Sequence, residues 1–428
     1  MAPLVSKFIP RPAGNFSSSS PALTGLAALA GLVALPAVAQ EIPRYSIAGE
    51  TAALAKREAL EGLPYSFQYG RLKAQFETGV NLEYNDNINL AEQGRQQDLI
   101  VRPQWNVRSF LPVTQVNALN FSVGVSPALY ARHSEYNRVL ITPGSELAMD
   151  LYVGDFLVNL HEQFAYTQDP ISVGAISGSA VYGGFNNTAG VKVVGDLNKL
   201  ILSLGYDHGT FLSSTKQFEQ LNNSSENLNA HATLQLKQGW SVGVSAGGGF
   251  SAYDQAVLND HRSYSVGFDT AWTVSPRLTL SADAGALFYE FDHNGSVGPT
   301  PNQQSYYAGL AAEHKLTKDA THSLRATREL QQGVSSDIIE LWTVRYQADF
   351  PIATQTTCTP RFFYEHGREL KAVGGEQFQR FGAGFTVSRQ LAERLRASAG
   401  YRFTVKDSDL ATRSYHQNSV SLELNYRF

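Results

Sequence analysis

The sequence predicts an all-β fold, a transmembrane antiparallel up-and-down β-barrel of about 18 strands, within a range of 16–18. Three observations predict it. Apolar and polar residues alternate over long stretches, the connections alternate between short and long, and the chain ends on an aromatic residue, Phe428. A period of two gives each strand one apolar face for lipid and one polar face for a lumen.

Composition agrees with strands and turns. The 428 residues include 36 Gly, 20 Tyr and 23 Phe, and the charged fraction of 17% lies below that of a typical soluble domain. The mean hydropathy of −0.21 excludes a helical membrane protein. The single cysteine, Cys358, excludes an internal disulfide.

Residues 1–39 have the features of a secretion signal. Lys7 and Arg11 supply positive charge, Leu23–Leu35 is apolar, and Ala37–Ala39 forms a cleavage site before Gln40. The alternative is a single anchoring helix, for which the stretch is short. Removal of the signal leaves 32 basic and 38 acidic residues, a net charge of −6. Nucleic acid is therefore not an expected partner, since its binding needs a basic face.

Residues 40–70 form the one long segment without strand patterning after the signal. Thr51–Glu61 favours a helix, which Gly62 and Pro64 would end. The segment is a periplasmic N-terminal extension, a small plug inside the lumen or a disordered leader. The β-barrel itself is assigned to residues 71–428.

Strand alternation is clearest at the two ends of the barrel. The apolar residues of the first strand are Leu72, Ala74, Phe76, Val80, Leu82 and Tyr84. Those of the last strand are Val420, Leu422, Leu424, Tyr426 and Phe428. Polar residues fill the positions between them, so the apolar sets are predicted to face lipid.

Eight short turns and nine longer polar loops join the eighteen predicted strands. This asymmetry is typical of outer-membrane barrels, in which periplasmic turns are tight and external loops are long. A soluble β-sandwich is disfavoured because its strands average only ~5–6 residues. A plugged transporter is disfavoured because it needs ~22 strands.

Two short motifs support a resemblance. Residues 84–88 (YNDNI) follow the first strand, and residues 425–428 (NYRF) end the chain. Together with the strand pattern, they resemble the outer-membrane β-barrel porin family, including the exopolysaccharide-operon barrels of Gram-negative bacteria. The resemblance implies a location in the outer membrane and recognition of Tyr426 and Phe428 by the outer-membrane assembly machinery. It implies neither catalytic residues nor a particular substrate.

The search for catalytic motifs is negative. Residues 161–162 begin a zinc-protease motif, but residue 165 is alanine, and no nucleophile elbow or phosphate-binding loop is present. The loop oxygens of Asp86, Asn87, Asn89 and Glu92 do not match a calcium-loop spacing, which favours a solvated loop tip. We therefore predict no enzyme activity, no cofactor and no metal.

Charged residues at polar-face positions are the candidate pore lining, because an Arg or Lys at the lipid midplane costs ~2–4 kcal/mol. The candidates are Arg325, Arg345, Arg361, Arg380, Arg394, Arg396, Arg402, Glu313, Glu329, Asp349, Glu365 and Glu423. The N-terminal strands carry fewer bases at such positions, so the lumen is predicted to have a basic side and a more acidic side. Glu162 and Arg328 fall on the predicted outer face, and we expect a bulge or register slip to return each to water.

The leading functional hypothesis is a porin-like channel for passive diffusion of polar solutes, with saccharides or an exported polysaccharide as candidates. The alternative is a structural or surface-interaction barrel without an open pore, acting as a partner in exopolysaccharide assembly. A hydrolase at the barrel rim is a third hypothesis of low weight. The expected partners are outer-membrane lipid, lipopolysaccharide and the assembly machinery.

Overall fold

The computed structural model describes residues 50–62, 65–298, 300–370 and 375–428. The predicted signal peptide, residues 1–39, lies outside these ranges. In the described part, the helix α1 (Glu50–Glu61) and the short strand β1 (Phe67–Tyr69) precede a series of long strands. No helix in the described part of the chain is long and apolar enough to cross a membrane.

Eighteen long strands follow β1, each of 11–16 residues. They are β2 (Leu72–Asn85), β3 (Asp98–Pro112), β4 (Ala118–Tyr130), β5 (Arg138–Val153), β6 (Phe156–Tyr166), β7 (Gly184–Leu197), β8 (Leu200–Ser213), β9 (Asn223–Lys237), β10 (Trp240–Tyr253), β11 (His261–Ser275), β12 (Leu278–Phe291), β13 (Gln303–Lys315), β14 (Thr321–Gln332), β15 (Ile338–Ala353), β16 (Thr356–Glu369), β17 (Gln377–Ala392), β18 (Leu395–Ser408) and β19 (Tyr415–Arg427).

These strands close into one barrel. Each strand pairs antiparallel with the next, and β19 pairs with β2 from Ser419↔Asn85 to Arg427↔Glu77. Closure removes the free edges that an open sheet would expose to lipid. The predicted fold class, an antiparallel barrel of 18 strands, is confirmed.

The two faces of the wall differ as the alternation predicts. Large apolar side chains stand exposed on the outer face along every part of the barrel, including Phe268, Leu310 and Leu422. In β19 the predicted lipid-facing set, from Val420 to Phe428, is exposed at every second residue. An apolar exterior on a closed barrel of this strand length fits the hydrocarbon layer of a bilayer.

Connections at the two ends of the barrel differ in length. The short turns are residues 113–117, 154–155, 198–199, 238–239, 276–277, 316–320, 354–355 and 393–394. The longer connections span residues 86–97, 131–137, 167–183, 214–222, 254–260, 292–302, 333–337, 370–376 and 409–414, of which 299 and 371–374 lie outside the described residues. Gly154 and Gly239 have φ values of 58° and 75°, which two-residue hairpin turns require. The short-turn end is the periplasmic end by the usual asymmetry.

Glu162 and Arg328 do not follow the expectation of a bulge or slip. Glu162 pairs in register with Leu147 and lies on the outer face, where its Oε1 accepts a 2.9 Å hydrogen bond from Asn187. Arg328 also keeps the outer parity, opposite Trp342. Polar partners on the outer face satisfy both charges without a local change of register, so the expectation was wrong for both.

Candidate functional site in the lumen

The predicted pore-lining residues lie on the inner face of the wall, with one exception. Register pairs join Arg325 to Arg345 and Arg402 to Ser419, each at inward positions. The others at inward positions are Arg361, Arg380, Arg396, Glu313, Glu329, Asp349, Glu365 and Glu423. Arg394 lies in the exposed turn between β17 and β18, at the periplasmic rim, because the hairpin turns there and leaves it off both faces.

One side of the lumen, from β15 through β19 to β3, is basic. Glu365 is held between Arg345 at 3.0 Å and Arg380 at 2.5 Å. Glu83 is held between Arg102 at 2.6 Å and Arg402 at 3.9 Å. Each carboxylate is shared by two guanidinium groups, which leaves a positive excess on this side. The Arg402 and Arg345 side chains are 44% and 37% exposed, so their charge is presented to the lumen.

The opposite side, from β6 to β12, carries carboxylates paired with histidines. His161 Nε2 lies 2.9 Å from Asp207, and His231 Nε2 lies 2.7 Å from Asp269. These pairs place two carboxylates at inward positions on this side. The inward charges therefore divide the lumen wall into a basic side and a side that carries carboxylates. The acidic side lies further along the chain than the first strands, where we expected it.

A long loop, residues 167–183, leaves the wall between β6 and β7 and binds the far side of the barrel. Arg380 Nη1 donates a 2.6 Å hydrogen bond to the carbonyl oxygen of Ile171. Lys406 Nζ donates to Ser177 Oγ at 3.0 Å, and Ser177 Oγ donates to the carbonyl of Arg413 at 2.7 Å. We name this segment the crossing loop. It narrows the lumen and brings its backbone against the basic side.

Gly174 shows how closely the crossing loop approaches the wall. A Cβ added there would lie 2.8 Å from the ring of Phe378 and 3.4 Å from Glu365. Only glycine lets the backbone come so near to the ring and the carboxylate.

Apolar side chains from five of the longer loops meet beneath the external end of the barrel. We name this cluster the mouth core; it consists of Leu90, Ala175, Ile176, Tyr182, Phe211, Phe218, Leu221, Leu258, Val334, Ile339, Leu341, Phe378 and Tyr415. Burial raises the pKa of the Tyr182 phenol well above its usual range, so this group stays neutral. The loops are thus folded inward on one another rather than extended into solvent.

The helix α1 lies at the opposite, periplasmic end. Lys56 pairs with Asp150, an inward residue of β5 whose side chain is only 3% exposed. Arg57 Nη1 donates to the carbonyl of Gln115 at 3.2 Å, and Ala53 is buried. Of the segment predicted as an extension or a plug, the described helix therefore lies against the inner wall of β3–β5.

Several residues of the lumen were not among the sequence candidates. Lys406 and Glu376 form a 2.7 Å ion pair with both side chains fully buried, and Arg413 binds the other oxygen of Glu376 at 2.7 Å. Lys406 stands at an inward position of β18, so the parity rule could have found it, whereas Glu376 and Arg413 lie in loops without parity.

Asn87 was predicted to lie in a solvated loop tip, and this is wrong. It is fully buried and donates hydrogen bonds of 2.8 Å to the carbonyls of Ala91 and His416. The neighbouring Asp86 accepts a 2.7 Å hydrogen bond from Asn418. This loop therefore extends the joint between β2 and β19 beyond the strands. Among the described residues, no cluster of His, Cys, Asp and Glu could hold a metal ion.

A closed barrel of 18 strands with an apolar exterior, a charged lumen and an inward crossing loop has the fold of an outer-membrane β-barrel of the porin type. The fold points to the outer membrane. No family model matches the sequence, and no curated protein matches it.

Solved structures match the fold. The chain is similar to OccK5 (OpdH) of Pseudomonas aeruginosa, with a TM-score of 0.50 and 13% identity over 83% of this chain and 98% of that chain. It also matches OccAB3 of Acinetobacter baumannii, with a TM-score of 0.49 and 11% identity over 83% and 99% of the two chains. It also matches OccK2 (OpdF) of Pseudomonas aeruginosa in complex with glucuronate, with a TM-score of 0.49 and 10% identity over 83% of this chain and 98% of that chain. At these identities, the likeness concerns the fold.

Proposed function

We propose that the protein is a diffusion channel for small polar solutes, with a preference for anions. The observation that carries the proposal is the one-sided lumen, in which arginines exposed to the interior face a wall of Asp–His pairs. A barrel of ~16–18 strands leaves an aqueous channel, and a charged lining selects what enters it.

The crossing loop limits the size of the solute. It binds both Arg380 and Lys406 on the side of the barrel opposite its origin. A polysaccharide chain would need a continuous wide passage, whereas small organic anions and single saccharides need only the space beside the loop. We therefore favour small solutes over an exported polysaccharide.

The test is ion selectivity in planar bilayers under a salt gradient. Arg402→Gln removes an exposed inward charge and should lower the anion-to-cation permeability ratio roughly twofold. Arg389→Gln is the matched control, because Arg389 is exposed at an outward position of β17 and should leave the ratio unchanged. Equal ratios for wild type and Arg402→Gln would contradict the proposal.

A second candidate is a surface-interaction barrel without an open pore, which the mouth core favours because apolar loop residues pack together at the external end. This candidate predicts no conductance in bilayers, even after deletion of the crossing loop. Discrete channel openings in the wild-type protein would exclude it.

A further inference from the structure

β13 and β14 pair with each other over only part of their length; we call the paired part zipped. Register pairs run from Lys315↔Thr321 at the periplasmic end to Ala308↔Arg328 and stop there. Beyond this point, residues 303–307 of β13 pair with β12, and residues 329–332 of β14 pair with β15. Within residues 300–370, which the structure describes without a gap, the wall is thus split in its external half.

The tip of the β14–β15 hairpin, residues 329–340, is folded into the barrel. Leu330 and Ile338 occupy outward positions, yet they are 0% and 2% exposed. They pack against Leu287, Tyr289 and Tyr307, which face inward from β12 and β13. Because outward residues of the β14–β15 hairpin contact inward residues of the preceding β12–β13 hairpin, the tip lies inside the wall.

The far end of the tip is held by two other loops. Asp337 is 1% exposed and accepts hydrogen bonds of 2.7 Å from both the backbone and the side-chain nitrogens of Asn259. Thr300 donates to the same carboxylate. In this position the tip contributes Ile339 to the mouth core, and Leu341, the next residue but one, joins it there.

Arg328 fastens the point at which the two strands part. Its guanidinium donates to the Tyr306 carbonyl oxygen and to Ser305 Oγ at 3.1 Å, and it pairs with Glu340 at 2.5 Å. It also stacks 3.8 Å from the Tyr306 ring centroid and is only 7% exposed. This explains a charged residue on the outer face, because its side chain binds the unzipped segment of β13.

We propose that the β14–β15 tip is a gate for the external mouth. In the tucked state described here it packs into the mouth core and narrows the mouth. In a second state it swings outward and zips with residues 303–307, in the register that continues from Ala308↔Arg328. Tyr306 would then face Leu330, both toward lipid, and Tyr307 would face Glu329, both toward the lumen. The sequence alternation of β14 suits that zipped wall, in which Leu330 recovers an apolar outer surface.

The same movement would withdraw Ile339 and Leu341 from the mouth core and separate Asp337 from Asn259. Pairing of the tip with residues 303–307 is therefore coupled to opening of the mouth. This inference rests on the proposed function as a channel, since a gate regulates passage.

Cysteine pairs in a Cys358→Ser background test the gate. Tyr306→Cys with Leu330→Cys places two thiols opposite each other in the zipped state, within the reach of a disulfide. Leu310→Cys with Ala326→Cys is the matched control, because these residues already face each other in the zipped part of the same joint. Asn259→Cys with Asp337→Cys should lock the tucked state.

Disulfide formation is measured by peptide mass spectrometry and conductance in planar bilayers, before and after reduction. We expect the 306/330 pair to cross-link and to raise mean conductance at least twofold, reversibly. The 259/337 pair should lower conductance, and the control pair should cross-link without changing it.

A 306/330 pair that stays reduced while the control pair cross-links would overturn the gate and leave the channel proposal intact. Cross-linking at 306/330 with unchanged conductance in a conducting protein would also overturn it. A wild-type protein without any conductance would refute the proposed function, and the cross-link would then decide the hairpin movement alone.

Discussion

Replacing Arg380 with methionine should release the crossing loop from the basic side of the lumen. Arg380 and Glu365 are 3% and 4% exposed, and the arginine Nε and Nη2 both donate to the same carboxylate oxygen, at 2.9 and 2.5 Å. The substitution also removes the donor to the Ile171 carbonyl. It leaves a buried carboxylate with Arg345 alone.

The size of the effect follows from the burial of the pair. Removing one partner of a buried ion pair costs about 3–5 kcal/mol, because the remaining charge is left without compensation. Part of that energy is recovered if the loop moves away and water reaches Glu365. The population of the released loop should then rise by roughly two to three orders of magnitude.

Hydrogen exchange in lipid nanodiscs measures this release. Ile176 N–H donates to the Val173 carbonyl, and Gly178 N–H donates to the Leu90 carbonyl, so both amides report on the seated loop. Their exchange should accelerate in Arg380→Met, while amides in the β7–β8 ladder should stay unchanged. The double variant Arg380→Met/Glu365→Gln should recover most of the protection, since no unpaired carboxylate remains. Equal exchange rates in the single and the double variant would refute the reasoning.

Two further predictions concern the ends of the chain. Deleting residues 50–62 should raise single-channel conductance, because α1 lies against the inner wall at the periplasmic end. Lys56→Met should give a smaller rise, because it removes the cation from the buried Asp150. Unchanged conductance in both variants would contradict an occluding helix. Deleting Phe428 should lower the folded, membrane-inserted fraction of the protein to a minority, because the Phe428 N–H donates to the Phe76 carbonyl and the Phe428 carbonyl accepts from Ser66. Heat-modifiable gel mobility measures this fraction. Phe428→Tyr is the control, because it keeps the backbone contacts and the ring.

Strand parity could be read from the sequence because it is a local property. Each outward residue of β19, such as Leu422, is set by its neighbours two positions away, and the lipid requires the same rule in every strand. The turns were predictable for the same reason, since residues such as Gly154 and Gly239 have a conformational role that does not depend on distant contacts.

The interior of the barrel was less predictable because it depends on contacts distant in sequence. The apolar residues of the crossing loop, such as Ile176, have no periodicity, and nothing local indicates that they meet Leu258 and Val334. Arg328 was recognised as an exception to the parity rule, but its reason lies in the partly zipped joint, which no single strand reveals.

Two different solvents stabilise the structure of this chain: lipid stabilises the wall, and water stabilises the mouth core. The wall keeps its shape because lipid leaves backbone groups no partner except a neighbouring strand. The mouth core keeps its shape because water excludes apolar side chains, as in any soluble domain. Denaturants such as urea weaken the second effect directly, whereas the lipid-embedded ladders respond far less. The loops can therefore melt as a unit at denaturant concentrations that leave the barrel intact.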